Sequence, residues 1–231
     1  MSVIHLLNSI TPMAPAFNGI SNSDFSYING ITNFWPSFAG DNFTGDNGDP
    51  PNLDIWHISK SASQDAVSIY NNRARGVVAD ASATDNTSLH SNFWLNGDFD
   101  IEVDWEKIVG GNTNRYDLIF RVIPDTTPNS YVQILRSYST ATLNHYGANK
   151  KTNGSFGTTS TAATADTSGS FRITRVGIAM KSYYGASLLR SDNWLNENVY
   201  VQLGTQTTGS FPDVTCDWED FIINSGTIVI Q

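Results

Sequence analysis

Ten residues constrain the fold of this chain more than any others: Gly97-Asp98-Phe99-Asp100-Ile101-Glu102-Val103-Asp104-Trp105-Glu106. Apolar and acidic side chains alternate strictly there. Phe99, Ile101, Val103 and Trp105 fall on one face of an extended strand, and Asp98, Asp100, Glu102, Asp104 and Glu106 on the other. A period of two predicts a half-buried strand whose apolar face is the inner wall of a β-sandwich. The outer face sets Glu102, Asp104 and Glu106 in a row, neighbours about 7 Å apart on the rise of a strand. That row has three readings: the acid and nucleophile of a sugar-cleaving enzyme, a polar lectin surface, or a solvated strand.

The rest of the chain repeats the β signal. Runs such as Trp56-His57-Ile58-Ser59, Tyr116 to Val122, Tyr131 to Arg136, Phe171 to Arg175, Val199 to Leu203 and Val214 to Ile223 are separated by Asn, Gly and Pro turns. About a dozen strands with turn signals every 8–12 residues mark a sandwich or barrel. Hairpin turns are expected at Asn71-Asn72 and Val176-Gly177, a long loop over residues 151–169, and a short helical turn over 191–198. No segment has a sustained apolar 3.6 period, and no repeat of fixed length is present. Abundant Thr, Ser, Asn and Gly with 12% aromatics suit half-buried pleated surfaces. A chain of 231 residues fits one large β domain. The expectation is a single all-β, two-sheet antiparallel sandwich over residues 39–231, preceded by an irregular arm over residues 1–38.

That arm carries Phe17, Phe25, Tyr27, Phe34, Trp35 and Phe38 among Asn, Ser and Gly, with Pro12 and Pro15 breaking any helix or central strand. A segment so aromatic packs on something, either its own domain or a neighbouring subunit. The Asp41-to-Trp56 stretch is turn chemistry, with Gly, Asn, Asp and a Pro pair. Its aspartates would also suit a calcium ion, although their spacing does not follow an EF-hand.

Charge excludes several classes of function. A net charge of −9 without a Lys/Arg cluster argues against nucleic acid, and Lys150-Lys151 is an isolated pair in an expected loop. No run approaches the ~20 apolar residues of a membrane span, and residues 1–7 lack the basic start of a signal peptide. The single cysteine, Cys216, alternates with Val214 and Trp218 and reads as a buried thiol. His5, His57, His90 and His145 are too scattered for a local metal or triad motif.

The order of three motifs resembles the concanavalin A-like lectin and glucanase superfamily, which includes laminin G-like modules. They are Asp41-Asn42-Phe43 through Ile55-Trp56, Gly97 through Val103, and Phe171 through Gly177 with Trp218 through Ile223. The resemblance covers residues 40–231 and implies a jelly roll with one concave face. It also implies a match of Glu102-Val103-Asp104-Trp105-Glu106 to the Glu-x-Asp-x-Glu strand of laminarinase-like hydrolases. There Glu102 would be the nucleophile, Glu106 the acid/base, and Asp104 the holder of a shared proton between them. By the same resemblance Asp41, with Asp217 or Asp220, would hold a structural calcium, and lectin-like sugar contacts would come from Tyr138, Tyr146, Tyr183, Tyr184 or Trp194. The opening loop is also similar to bacteriophage structural segments. With the missing signal, the composition and the arm, this leads to the expectation of a non-enzymatic virion component, a capsid decoration or tail accessory protein made in a host cytoplasm. It would join other virion subunits or itself through residues 1–38, with possible binding to cell-surface glycans. The alternative is an endo-β-glucanase using Glu102 and Glu106.

Overall fold

In a computed structural model the chain divides into two units at Phe38/Ala39. The described residues are 39–79, 85–109, 115–138, 145–194, 197–208 and 213–230, so the expectations placed on residues 1–38 lie outside them. In chain order the strands are β1 (Gly40–Asp41), β2 (Trp56–Lys60), β3 (Ala66–Ile69), β4 (Ala74–Val78), β5 (Asn86–Ser91), β6 (Phe93–Val109), β7 (Arg115–Pro124) and β8 (Tyr131–Tyr138). They continue as β9 (His145–Thr152), β10 (Ser155–Phe156), β11 (Ser160–Ala163), β12 (Ser168–Val176), β13 (Ala179–Tyr184), β14 (Ser187–Asn193), β15 (Val199–Thr208) and β16 (Val214–Ile230). No helix occurs among the described residues.

The antiparallel pairing forms two layers. The first runs β2-β5-β15-β7-β8-β9, with β10 and β11 on β9. The second runs β3-β4-β16-β6-β12-β13-β14, with β1 beside β16. Between β15 and β6 only one pair, Val199 with Leu95, ties the layers together. This is the expected two-sheet antiparallel sandwich, and β6 is central to the second layer. Phe99, Ile101, Val103 and Trp105 are all at most 2% exposed, as their alternation predicts. The first layer answers with Leu118, Phe120, Val122, Val132, Ile134 and Leu203, each buried. The layers approach closely at Gly76 of β4, where a Cβ would lie 3.2 Å from Thr205 Oγ1 and 3.3 Å from Thr87 Cγ2 of the first layer.

Local chemistry explains most of the turns. Asn71 and Asn72 both take positive φ, 52° and 56°, and close the β3–β4 hairpin through reciprocal Tyr70–Arg73 backbone bonds. Asn tolerates that region through its short polar side chain. The β12–β13 turn is Gly177-Ile178, one residue later than expected, because Val176 still pairs with Ala179 and Gly177 supplies the positive φ of 58°. The Ser/Thr-rich stretch is not wholly loop: β10 and β11 both add to β9. Where a helical turn was expected over 191–198, residues 191–193 instead complete β14, and residues 195–196 lie outside the described residues.

The Asp41-to-Trp56 loop is held by side-chain bonds. Asp41 Oδ1 accepts from the Phe43 amide and Oδ2 from Trp56 Nε1, both at 2.8 Å. Trp56, fully buried, then packs on Phe43, Phe93 and Phe221 with ring centroids 5.3–6.4 Å apart.

Candidate functional site

The carboxylates that the sequence singled out lie on the outer face of the second layer, away from the core. There they meet arginines. Glu106 and Glu219 both accept from Arg73, the latter at 3.1 Å. Asp100 takes a two-pronged contact from Arg172, at 2.7 and 2.5 Å. Glu102 stands directly across from Arg172 in the β6–β12 register. Asp104 pairs with Glu219 and Ser170 instead and has no cation beside it. Partial burial pushes its carboxyl up, and Glu102, Asp220 and Glu219 add to that.

Of the aspartates expected around a calcium ion, Asp41 with Asp217 or Asp220, the first two have their oxygens engaged by protein donors. Asp41 pairs with Phe221, four residues along β16 from Asp217, and both its oxygens are used by Phe43 and Trp56. Asp217 is 1% exposed and binds Arg75 through both oxygens, at 2.8 and 3.0 Å. Among the described residues no three His, Cys, Asp or Glu side chains gather closely enough to hold a metal.

The aromatic candidates make ring contacts within the domain. Tyr138 stacks on Tyr116 at 5.0 Å, Tyr146 on Tyr184 at 4.1 Å, and Tyr183 lies over the Arg172 guanidinium. Tyr183 and Tyr184 do face opposite ways, Tyr184 toward Trp105 and Phe171 of the core. Trp194 is 6% exposed beneath Lys150 and lines a cavity of about 470 Å³ with Thr127, Ser130 and Asn193.

A second polar constellation was not anticipated from the sequence. On the outer face of the first layer, the register sets His57 opposite His90, His90 opposite Gln202, Gln202 opposite Arg121, Arg121 opposite Gln133, and Gln133 opposite Asn149. Six strands each contribute one side chain to a line crossing the sheet, about 24 Å long at ~4.8 Å per strand. Hydrogen bonds join most of the line. Arg121 donates from Nε to Gln133 Oε1 at 2.5 Å and from Nη1 to Gln202 Oε1 at 3.2 Å. Gln202 Nε2 donates to Ser88 Oγ at 3.1 Å, and Ser88 bonds His90 Nε2 at 3.0 Å. At the far end Asn149 is 5% exposed, and its Oδ1 has no hydrogen-bond partner.

Aromatic rings flank the line. Tyr200 stacks on His90 at 5.6 Å and meets the edge of Trp94 at 5.4 Å. Tyr131 lies under Arg121 at 4.4 Å and against Phe156 at 6.2 Å. Burial, with help from His57 and Arg121, pushes the His90 imidazole down to about 4, so it is neutral at pH 7. Burial likewise raises the Tyr131 and Tyr200 phenols. The sequence carried one signal for this face: Arg121 interrupts the otherwise apolar run Leu118 to Ile123, and Gln133 the run Tyr131 to Leu135.

No family model matches the sequence, and no curated protein matches it. The structure does have neighbours. A β-glucanase of Bacillus licheniformis aligns at TM-score 0.60 and 12% identity, over 80% of this chain and 96% of that one. A non-specific endo-β-1,3(4)-glucanase of family GH16 aligns at 0.63 and 10%, over 80% and 88%. A Mycobacterium tuberculosis protein described as an immunostimulatory antigen and pseudo β-1,3-glucanase aligns at 0.58 and 12%, over 80% and 98%. These likenesses give the chain the concanavalin A-like fold. They also overturn the expectation of a bacteriophage virion component: the shared architecture is that of glucanases, and the short loop motifs that suggested phage proteins are the turn chemistry around Asp41 and Trp56.

Proposed function

We propose that this chain is a carbohydrate-active protein that engages an extended polysaccharide across the outer face of its first layer. The observation that carries the reading is the hydrogen-bonded line from His90 through Gln202 and Arg121 to Gln133. Sugars offer hydroxyls at the rim and C–H groups on the ring faces. Amides, imidazoles and a guanidinium meet the hydroxyls as donors and acceptors, and rings such as Tyr200 and Tyr131 meet the C–H faces. Side chains already bonded to one another lose little freedom on binding, which favours affinity. Neighbours described as β-glucanases support polysaccharide as the ligand class.

Cleavage by Glu102 and Glu106 is the second reading. One observation favours it: the Asp104 carboxyl between them is raised, as a shared-proton role requires. The Arg73 contact to Glu106 weighs against it, because it engages the carboxylate that would have to reach the sugar.

Native gel retardation in a series of neutral and acidic polysaccharides, beside a reducing-end assay, tests both readings. Retardation of the wild type that Gln202→Ala weakens about tenfold, with E102Q unaffected, is the expected result. Failure of every polysaccharide to retard the wild type removes the binding reading. Reducing ends that vanish in E102Q and E106Q would establish cleavage on the second layer.

A further inference from the structure

The binding face has a charge that the rest of the chain does not lead one to expect. The protein carries a net −9, yet the cations Arg121 and Lys151 sit on this face. The sole acid on the described strands of that face is Asp117, which is 6% exposed and accepts a hydrogen bond from Ser137. Arg121 is half-buried in the middle of the line. Its partners are two neutral amide oxygens and a ring, so among the described residues no carboxylate hydrogen-bonds to it. Elsewhere Arg73, Arg75, Arg172 and Arg190 each meet a carboxylate, while the fully buried Arg136 and Arg175 donate to backbone carbonyls.

A guanidinium taken partly out of water without a carboxylate bonded to it is costly, and burial lowers its affinity for the proton although the Asp117 charge nearby partly offsets that. Lys151 adds to the same locus. It is the cross-strand neighbour of Tyr131, with Nζ 5.5 Å from the ring that Arg121 covers at 4.4 Å. Two cations therefore flank one aromatic platform, beside amides that read hydroxyls. That combination suits a sugar ring bearing an oxyanion: the sugar lies beside Tyr131, itself only 8% exposed beneath Arg121, and the anion meets Arg121 in the planar, two-pronged manner that guanidinium favours.

We propose that the polysaccharide this face engages is acidic, its carboxylate or sulfate received by Arg121 and Lys151 against the Tyr131 ring. The inference rests on the binding reading above and deepens it to a substrate class. A bland role for Arg121, tying Gln133 to Gln202, would leave charge selectivity at zero, and the two are separable.

The experiment measures the affinity of the full chain for three matched ligands: a neutral β-1,3-glucan, the same glucan sulfated, and a polyuronate. The expected result is binding of at least one acidic ligand about tenfold or more above the neutral one at low salt, with the advantage shrinking as salt rises. The better of the sulfated glucan and the polyuronate names the anion. Arg121→Gln and Lys151→Gln should each bring the acidic-to-neutral ratio toward one, while Arg121→Lys keeps part of it. A thermal midpoint for each variant identifies any that fails to fold, and Lys151→Gln, at the sheet's margin, then carries the test. Equal affinity for neutral and acidic ligands overturns this inference and leaves the binding reading standing. An acidic preference unchanged in both glutamine variants overturns it too, by placing the anion elsewhere. No binding of any ligand removes both.

Discussion

Asp217 and Arg75 show how burial decides what a carboxylate does. In the sequence, Asp217 is one acid among several near the end of the chain, equally suited to a metal ion or to solvent. In the structure it is 1% exposed and meets Arg75 through both oxygens. The same bond raises the Arg75 guanidinium. Removing the cation would leave a buried, unpaired charge. Arg75→Ala should therefore cost about 2–3 kcal/mol in urea unfolding, and Asp217→Asn less, since a neutral amide keeps the shape without the charge. A loss under ~0.5 kcal/mol for Arg75→Ala would mean that water already screens the pair. Legibility at this scale was uneven. The buried face of Phe99, Ile101, Val103 and Trp105 could be read from alternation alone, whereas the arginine partners of Glu106, Asp100 and Asp217 could not. Those pairings join residues far apart in the chain, such as Arg73 with Glu106, and only the register brings them together.

Among the elements, β16 governs more geometry than its sequence discloses. It pairs with β4 and β6 at once, and its register on β6 shifts between Glu219 and Ile222, where Asp220 takes a φ of 44°. Such a bulge re-aims the strand, so that Phe221 turns into the core against Trp56 while Asp217, four residues earlier, stays on the strand's opposite face. The two-residue β1 fits against that kink. Gly40 has φ 141°, and a Cβ there would fall 1.9 Å from the Phe221 carbonyl oxygen, a clash that backbone must absorb. Gly40→Ala should accordingly detach β1, at a cost of about 2 kcal/mol or more. Amide exchange reports it directly: the Ile223 N–H, bonded to Ala39 O at 2.7 Å, should lose protection, while Leu118 in the first layer should not. Retained protection at Ile223 would contradict that account. Strand positions and the Asn71-Asn72 turn were legible because local chemistry determines them. The bulge was not, since Trp218-Glu219-Asp220-Phe221 has no Gly or Pro to announce it.

Taken whole, the sandwich presents two outer faces with opposite chemistry. The second layer spends its acids on arginines, and the first carries neutral amides, imidazoles and rings around Arg121. The polar line escaped the sequence reading because its six members come from six strands spread between His57 and Gln202, and no local motif contains two of them. The same arrangement gives the domain a pH dependence. His90 keeps a folded value of about 4 against an ordinary 6.5, chiefly through burial. Between those values the unfolded chain binds the proton and the folded one does not, so stability rises with pH across that window. Asp100, held below its ordinary value by Arg172, acts in the same direction at lower pH: its stabilisation is lost as pH falls through its folded value. Asp104, raised, opposes them, because deprotonating it costs more in the folded state. The net expectation is a urea midpoint that climbs from pH 4.5 to 7, with His90 contributing at most about 3 kcal/mol. His90→Gln should flatten the climb while leaving the loss below pH 4 in place. Equal slopes for wild type and variant would show that His90 is hydrated in the folded domain, and that the line it anchors is open to water at that end.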